Sequence, residues 1–343
     1  MNYKEVLECA RERGIVNCRV CEECNGLGCG NIIPGPGSKA PGNGAHENWK
    51  AWREIYLNLD TIGPDIPSDT SCELFGRRLA LPLISAPIGS LRVQFDPTDD
   101  VREYNDACIA ACYQKGILAC FGSGRDASVV PRGLESGKRH GNVAIPVINP
   151  YPTETILGLL EQINQAEPAA VSLVIDSVGL PHAGKKANRL GAKTIEELKQ
   201  LKSAAKVPLI IKGIMTGKGA EKAIEAGADA IVVSNHGGRA LSDAAPTAVV
   251  LPEIAAAARG SVRIIVDGGI RSGMDLFKAL ALGADAAMVC RPFMISWFGA
   301  GQEGIEAFID KIQAELAETM YMCGARTVRE IREDMVRRKG AGI

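Results

Sequence analysis

The 343-residue chain is poor in aromatic side chains, with seven Phe, six Tyr and three Trp making up 5%. It has no excess of either charge: 39 Lys and Arg stand against 40 Asp and Glu, a net charge of −1. That balance gives neither nucleic acid nor an anionic membrane surface a footing as partner. No apolar run approaches the roughly 20 residues that span a bilayer, so no membrane association is expected. The opening MNYKEVLECARERG is charged and has no apolar core of the secretory kind, which places the expected location in the cytoplasm. Disorder is excluded as well, because 46% hydrophobic and 23% charged residues describe a globular chain.

Glycine and cysteine are abundant, at 38 and 11 residues. A Gly- and Ala-rich, aromatic-poor chain suits tightly wound βα units. Isolated cysteines in apolar segments, such as Cys120 and Cys290, read as buried thiols. Four others crowd into one short run near the N-terminus.

Length alone allows one large domain or two ordinary ones. From residue 81 onward, eight near-continuous apolar runs recur: LPLISAPI (81–88), GILACF (116–121), NVAIPVI (142–148), AVSLVID (170–176), VPLIIK (207–212), DAIVVS (229–234), VRIIVD (262–267) and DAAMVC (285–290). Such runs are strands covered on both faces, as in a parallel sheet. Helical patterns, among them TETILGLLEQINQA and TIEELKQLKSAA, separate them. Eight strands alternating with helices predict an α/β fold, a (β/α)8 TIM barrel. An internal repeat agrees: KAIEAGADAIVVS (222–234) returns as KALALGADAAMVC (278–290), 56 residues later, or about two βα steps. A doubly wound sheet would show fewer strands and a GxGxxG after the first. Residues 63–343 are therefore read as the barrel. Residues 1–62 are read as an extension carrying the cysteine run, a Gly/Pro loop and a helical segment around WKAWREIYLN.

In a barrel, chemistry collects at the C-terminal ends of the strands. The fifth run ends in Lys212. The sixth leads into Ser234-Asn235-His236-Gly237-Gly238-Arg239, the seventh into Asp267-Gly268-Gly269-Ile270-Arg271, and the eighth into Cys290-Arg291. His236 is a candidate base and Arg239 a holder of an anionic substrate. Asp176, closing the fourth run, can orient the imidazole or simply cap a helix. After strands seven and eight, the glycines with Arg271 and Arg291 suit a phosphate; tight turns with surface arginines are the alternative.

The blocks SNHGGR and VDGGIRSG, in this order and spacing, resemble the FMN-dependent α-hydroxy-acid oxidases and dehydrogenases, and the resemblance runs from ENWKAWREIYLNLDTI to ETMYMCGARTVREI. It implies FMN as cofactor and oxidation of a 2-hydroxy acid to the 2-oxo acid. Lys212 would sit near flavin N1, His236 would take the hydroxyl proton, Asp176 would support it and Arg239 would bind the carboxylate. Ser123, Ser234 and the backbone around Ala86, Pro87 and Ile88 would meet the flavin. Asp267 would hold the ribityl hydroxyls, Gly269, Arg271 and Arg291 would take the phosphate, and Gly268 and Cys290 would complete the cofactor-binding set. Homo-oligomers, tetramers or octamers, are expected by analogy. The sequence departs from the family where small substrates are recognised. Residues 30–45 contain no tyrosine, only Tyr151 stands near the second expected position, and His182, Lys185 and Lys186 occupy the region of a second arginine. A larger substrate, or one without the usual carboxylate, is the expectation. A flavin isomerase of the type 2 isopentenyl-diphosphate kind and a non-catalytic flavin or metal sensor are the competing readings.

Cys18, Cys21, Cys24 and Cys29 follow C-x2-C-x2-C-x4-C. The spacing predicts a metal centre, with zinc and a [4Fe-4S] cluster both open. A cluster beside a flavin would pass electrons onward to an electron-transfer protein. Reduced thiols or an adventitious disulfide are the plainer alternatives.

Overall fold

The computed structural model describes residues 1–29, 43–92, 95–96, 98–123, 126–179, 190–241 and 243–340. Eight parallel strands close into a barrel in the order β4 (Leu83–Ser85), β5 (Leu118–Gly122), β6 (Ala144–Ile148), β7 (Val171–Val174), β8 (Leu209–Ile214), β9 (Ala230–Val233), β10 (Arg263–Val266) and β11 (Ala286–Val289), with β11 returning to β4. The helices between them are α3 (Val101–Gln114), α4 (Val129–Arg139), α5 (Thr153–Ala166), α6 (Ile195–Ala204), α7 (Gly217–Glu225), α8 (Thr247–Ala258) and α9 (Gly273–Ala281); α10 (Arg291–Met322) follows the last strand and kinks at Ala300–Gly301. The predicted (β/α)8 barrel is thus the observed one.

The apolar runs have a two-sided cause. Ile84, Ile210, Val232, Ile265 and Met288 fill the barrel interior, while their neighbours Leu83, Ile211, Val233, Ile264 and Val289 pack beneath the helices. Alternation places successive side chains on opposite faces, and both faces are buried, so few polar positions remain, among them Ser85, Ser172 and Lys212. All the strands but β8 are shorter than their runs; β8 is as long as its run and ends two residues later, at Ile214. Ala86–Ile88 and residues such as Asp267 and Cys290 are apolar-flanked loop positions at the mouth.

The Gly-Ala-Asp-Ala repeat has one job at both sites. Asp229 Oδ2 accepts from the Leu209 amide at 2.7 Å, and Asp285 Oδ2 accepts from the Ile264 amide at 2.7 Å. Each aspartate stitches the entrance of its own strand to the strand before it.

The first 62 residues share the barrel's core. Leu7, Ala10, Val20, Trp52 and Ile55 belong to the apolar cluster under the helices. Helix α1 (Tyr3–Arg13) packs on α10, and α2 (Gly44–Arg53) leads into β1 (Ile55–Leu57), which pairs antiparallel with β12 (Val336–Arg338). A hairpin of β2 (Cys72–Leu74) and β3 (Arg77–Leu79) sends Leu74 and Leu79 into the barrel's interior cluster. No described helix is long and apolar enough to cross a membrane.

Candidate active site

Lys212 comes from the end of β8, where the register against β9 slips between Lys212 and Ile214. Gly213 makes this irregularity feasible: its φ is +112°, and a Cβ there would lie 2.9 Å from the Asp176 side chain. The ammonium is buried, at 4% exposure, and hydrogen-bonds to Ser234 Oγ and to Asp267 Oδ2. Ser234 donates in turn to Asp267 Oδ2 at 2.9 Å. Burial alone would lower the lysine's pKa, but the carboxylates of Asp267 and Asp176 outweigh it and hold the group charged.

His236 follows on the next strand end with a left-handed backbone, φ +59°, a conformation costly for a non-glycine residue. Its amide donates to Ser234 Oγ at 3.1 Å, and its Nδ1 lies 2.9 Å from Asp176 Oδ1. A carboxylate accepts only, so Nδ1 carries the proton in this pair and Nε2 is the nitrogen left to act as base. Asp176 opens the single 3-10 turn after β7. Burial would raise its carboxyl, yet His236 and Lys212 draw it below the ordinary carboxylate range.

The cleft joining these groups is lined by Ala86, Pro87, Lys212, His236, Arg239, Asp267, Gly268, Gly269, Arg271, Cys290 and Arg291. All are residues singled out from the sequence. Val174, Gly237, Met288 and Val289 also line it; as ordinary apolar or glycine positions at strand ends they carried no separate signal. Asp176 and Ser234 stand behind the wall and hold its members. Ile88 and Ser123 do not line the cleft. Ile88 is buried, and the Ser123 hydroxyl accepts from the Asn149 amide nitrogens at 3.3 and 3.4 Å. Tyr151 is likewise absent from the lining. His182, Lys185, Lys186, Gly124 and most of the tyrosine-free loop, residues 30–42, lie outside the described residues.

Three polar atoms around this cleft are buried without a partner: Arg239 Nε, Arg291 Nη1 and Asp267 Oδ1. Burial pushes the Arg239 guanidinium down to about 10, still cationic at neutral pH. The unmet Arg291 donor and the unmet Asp267 oxygen, in a cleft that the Gly268–Gly269 turn also lines, are what a phosphorylated polyol requires, while the unmet Arg239 Nε is left for a second anionic group. The residues present fit FMN.

Arg271 lines the cleft, but its guanidinium is already engaged elsewhere. Its Nε donates to the Cys24 carbonyl at 2.7 Å, its Nη1 to the Ile270 carbonyl at 2.6 Å, and its Nη2 lies 3.9 Å from Cys24 Sγ. It forms the partition between this cleft and a roomier one, lined by Cys21, Glu23, Cys24, Arg53 and Lys278. Size does not select the site here, because the unmet polar atoms and the lysine–histidine centre belong to the smaller cleft. All described cysteines are free thiols. Among the described residues no group of three or more His, Cys, Asp or Glu side chains is arranged to hold a metal ion. The geometry therefore does not reproduce the metal centre expected at Cys18, Cys21, Cys24 and Cys29. Burial instead pushes the Cys18 thiol up to about 12.

A closed ring of eight parallel strands alternating with helices, with a buried lysine, a histidine–aspartate pair and glycine–arginine turns at one mouth, is a (β/α)8 barrel protein. More particularly, the chain belongs to the FMN-dependent dehydrogenase family, whose profile matches residues 37–190 and 181–338. A peroxisomal (S)-2-hydroxyacid oxidase of Arabidopsis thaliana is 41% identical over 142 residues, covering 41% of this chain and 39% of that protein. An L-lactate oxidase of Lactobacillus jensenii is 42% identical over 151 residues, 44% of this chain and 36% of that one. These matches span well under half of either oxidase. A 4-hydroxymandelate oxidase of Amycolatopsis orientalis is 29% identical over 304 residues, covering 76% and 80% of the two chains. Among solved structures, mandelate oxidase with 3,3-difluoro-2-hydroxy-3-phenylpropionic acid superposes with a TM-score of 0.74 at 26% identity, covering 98% of each chain.

The lowered Asp176 carboxyl sets a pH dependence. Its contribution to stability is present above its ordinary pKa of about 3.9 and is lost as pH falls toward the lower folded value. Asp176→Asn should therefore lose less stability than the wild type between pH 7 and pH 3, read as urea midpoints. Equal losses would show that the carboxylate is not held charged.

Proposed function

We propose that the protein is an FMN-dependent oxidoreductase that converts a 2-hydroxy acid to the 2-oxo acid. The observation that carries this reading is the His236–Asp176 pair beside buried Lys212, with Arg239 in the same cleft. FMN supplies the acceptor for the two electrons and hydrogen leaving the substrate carbon. The chain's residues supply the rest. Arg239 holds the substrate carboxylate, which brings the hydroxyl toward His236. Nε2 of His236 removes the hydroxyl proton, and Asp176 keeps the ring in the tautomer that leaves this nitrogen free and stabilises the imidazolium that forms. Lys212, held in place by Ser234 and Asp267, would supply a fixed cation to a ring that gains negative charge on reduction, with no reorganisation needed. Asp267 and the Gly268–Gly269 turn would hold the polyol and Arg291 the phosphate, with Arg271 in the wall of the same cleft. The isomerase reading lacks support from a histidine–aspartate base set beside a carboxylate-binding arginine.

For the cysteine run, the finer reading is a ligand loop for zinc or a [4Fe-4S] cluster. Its support is the spacing, together with the Val20 amide that donates to Cys18 Sγ at 3.4 Å; against it stands the lack of convergence described above. No step of the reaction is routed through it.

Anaerobic addition of 2-hydroxy acids to the yellow protein should bleach the flavin bands. His236→Ala should keep the flavin and slow bleaching by about 10²–10⁴-fold, the range for a general base. Undiminished bleaching in that variant would remove His236 as the base, and no bleaching of the wild type by any 2-hydroxy acid would overturn the activity. Arg291→Ala should weaken FMN binding at least tenfold in a fluorescence titration, and an unchanged affinity would contradict the phosphate assignment. Elemental analysis of protein purified without air should find iron or zinc near stoichiometry. Loss of that metal in a Cys18→Ser/Cys21→Ser variant would support the ligand loop, whereas metal-free wild-type protein would leave the run as plain thiols.

A further inference from the structure

The loop that carries His236 is not held by the barrel alone. Asn235, one residue before the histidine, is 3% exposed and pairs reciprocally with Asn48 of α2, which is fully buried. Asn48 Nδ2 donates to Asn235 Oδ1 at 2.8 Å, and Asn235 Nδ2 donates back to Asn48 Oδ1 at 2.9 Å. Asn235 Oδ1 also accepts from the Gly238 amide at 3.0 Å, and its Nδ2 also donates to the Ala245 carbonyl at 3.1 Å. Every donor and acceptor position of the Asn235 amide is therefore filled, and the partners on either side fix which way it faces. Asn48 Oδ1 takes a second bond, from the Thr247 amide at 3.1 Å, while the Thr247 hydroxyl donates to the Asp267 carbonyl at 2.6 Å.

Two glycines make this approach possible. A Cβ on Gly238 would lie 2.4 Å from the Gly44 carbonyl carbon, and a Cβ on Gly269 would lie 2.4 Å from the Asn48 carbonyl oxygen. Both are glycines of the SNHGGR and DGGIR blocks, and both make room for α2. The Trp52 indole, one turn further along that helix, donates to the Gly268 carbonyl at 2.8 Å. The N-terminal helix is thus bonded to the histidine loop and to the Asp267 turn at once, across sequence separations of 187 and 216 residues.

We propose that Asn48 is a positioning residue: through Asn235 it fixes the left-handed His236 against Asp176, so the N-terminal segment is part of the active site. The role rests on His236 acting as the base in the function proposed above. A histidine whose backbone is intrinsically unfavourable stays in place only while its surroundings over-determine it. The Asn48–Asn235 pair is the surrounding element that comes from outside the barrel.

The test uses the flavin-loaded protein and compares wild type with Asn48→Ala, Asn235→Ala and the double variant. With 15N-labelled histidine, the four imidazoles are resolved, and His236 is identified by its loss in His236→Gln. The alanine variants should move or broaden the His236 ring signals and leave those of His140, in the distant α4 cap, unchanged. The maximal rate of anaerobic flavin reduction should fall at least tenfold, with apparent KM within threefold and FMN bound at one per chain. The double variant should be no worse than the poorer single one, since one interaction is being removed twice. Should Asn48→Ala fail to fold, Asn48→Asp keeps the shape and both accepting positions but loses the donation to Asn235, and it is read in the same way. Unmoved His236 signals, a reduction rate within twofold of wild type, or a rate restored by excess FMN would each overturn the proposal. If wild type itself is not bleached, the activity reading fails, and the histidine spectra still decide Asn48 on their own.

Discussion

The buried Lys212–Asp267 pair is the constraint around which the mouth of the barrel is arranged. It joins strand ends that are not neighbours, β8 and β10, across β9, and the hydroxyl of Ser234 fills the gap between them. An isolated ammonium at this depth would lose its charge, and removing one partner of such a pair costs about 3–5 kcal/mol because the other is stranded. Two consequences follow. The three strands must keep their register at the C-terminal end; at the opposite end the Asp229 side chain ties β9 to β8, and the Arg263 amide donates to the Asp229 carbonyl at 3.1 Å to tie in β10. The lysine also stays cationic in a place nearly free of water, where a charge acts on its surroundings most strongly. A second carboxylate, Asp176, shares in this field and passes it to His236. The base and the cation are thus members of one electrostatic unit.

Much of the fold was legible because the barrel imposes a simple rule on composition. Strands buried on both faces leave room for few polar residues, so eight nearly apolar runs announced eight strands. The site was legible for the complementary reason: Lys212, Asp267 and Arg291 are polar residues that terminate apolar strands, and only chemistry or a cap explains them there. Strand ends were less legible, since Ala86–Ile88 continue an apolar run beyond the last ladder bond. The short pairs β1–β12 and β2–β3 gave no signal. Three-residue strands show no periodicity, and the partners of β1 lie at the far end of the chain.

What the sequence could not disclose is which glycines serve a ligand and which serve the protein. Gly268 and Gly269 sit where a phosphate loop is expected, yet a side chain at Gly269 would collide first with the backbone of α2. Arg271 is a parallel case. Its position after β10 marks it as a phosphate arginine, while its hydrogen bonds run to the Cys24 carbonyl and to its own loop. Neither fact has a local pattern, because both depend on contacts with segments more than 200 residues away.

These contacts bear on what the N-terminal segment is. Asn43 caps α2 by accepting from the His46 amide at 3.1 Å and donates to the Gly26 carbonyl at 3.1 Å, while Trp49 donates to Glu23 at 2.8 Å. The cysteine run is thereby fastened to α2, α2 to the histidine loop through Asn48, and the run again to the phosphate side through Arg271. Glu23, Cys24 and Gly26 are therefore linked along two short routes, one leading through α2 to the loop of His236 and one to Arg271 in the cleft wall. The segment's hydrogen bonds close a ring with the loops of the cleft, and the links of that ring that are fully buried, Asn48–Asn235 and Asn48–Thr247, are the ones whose loss leaves a polar group stranded.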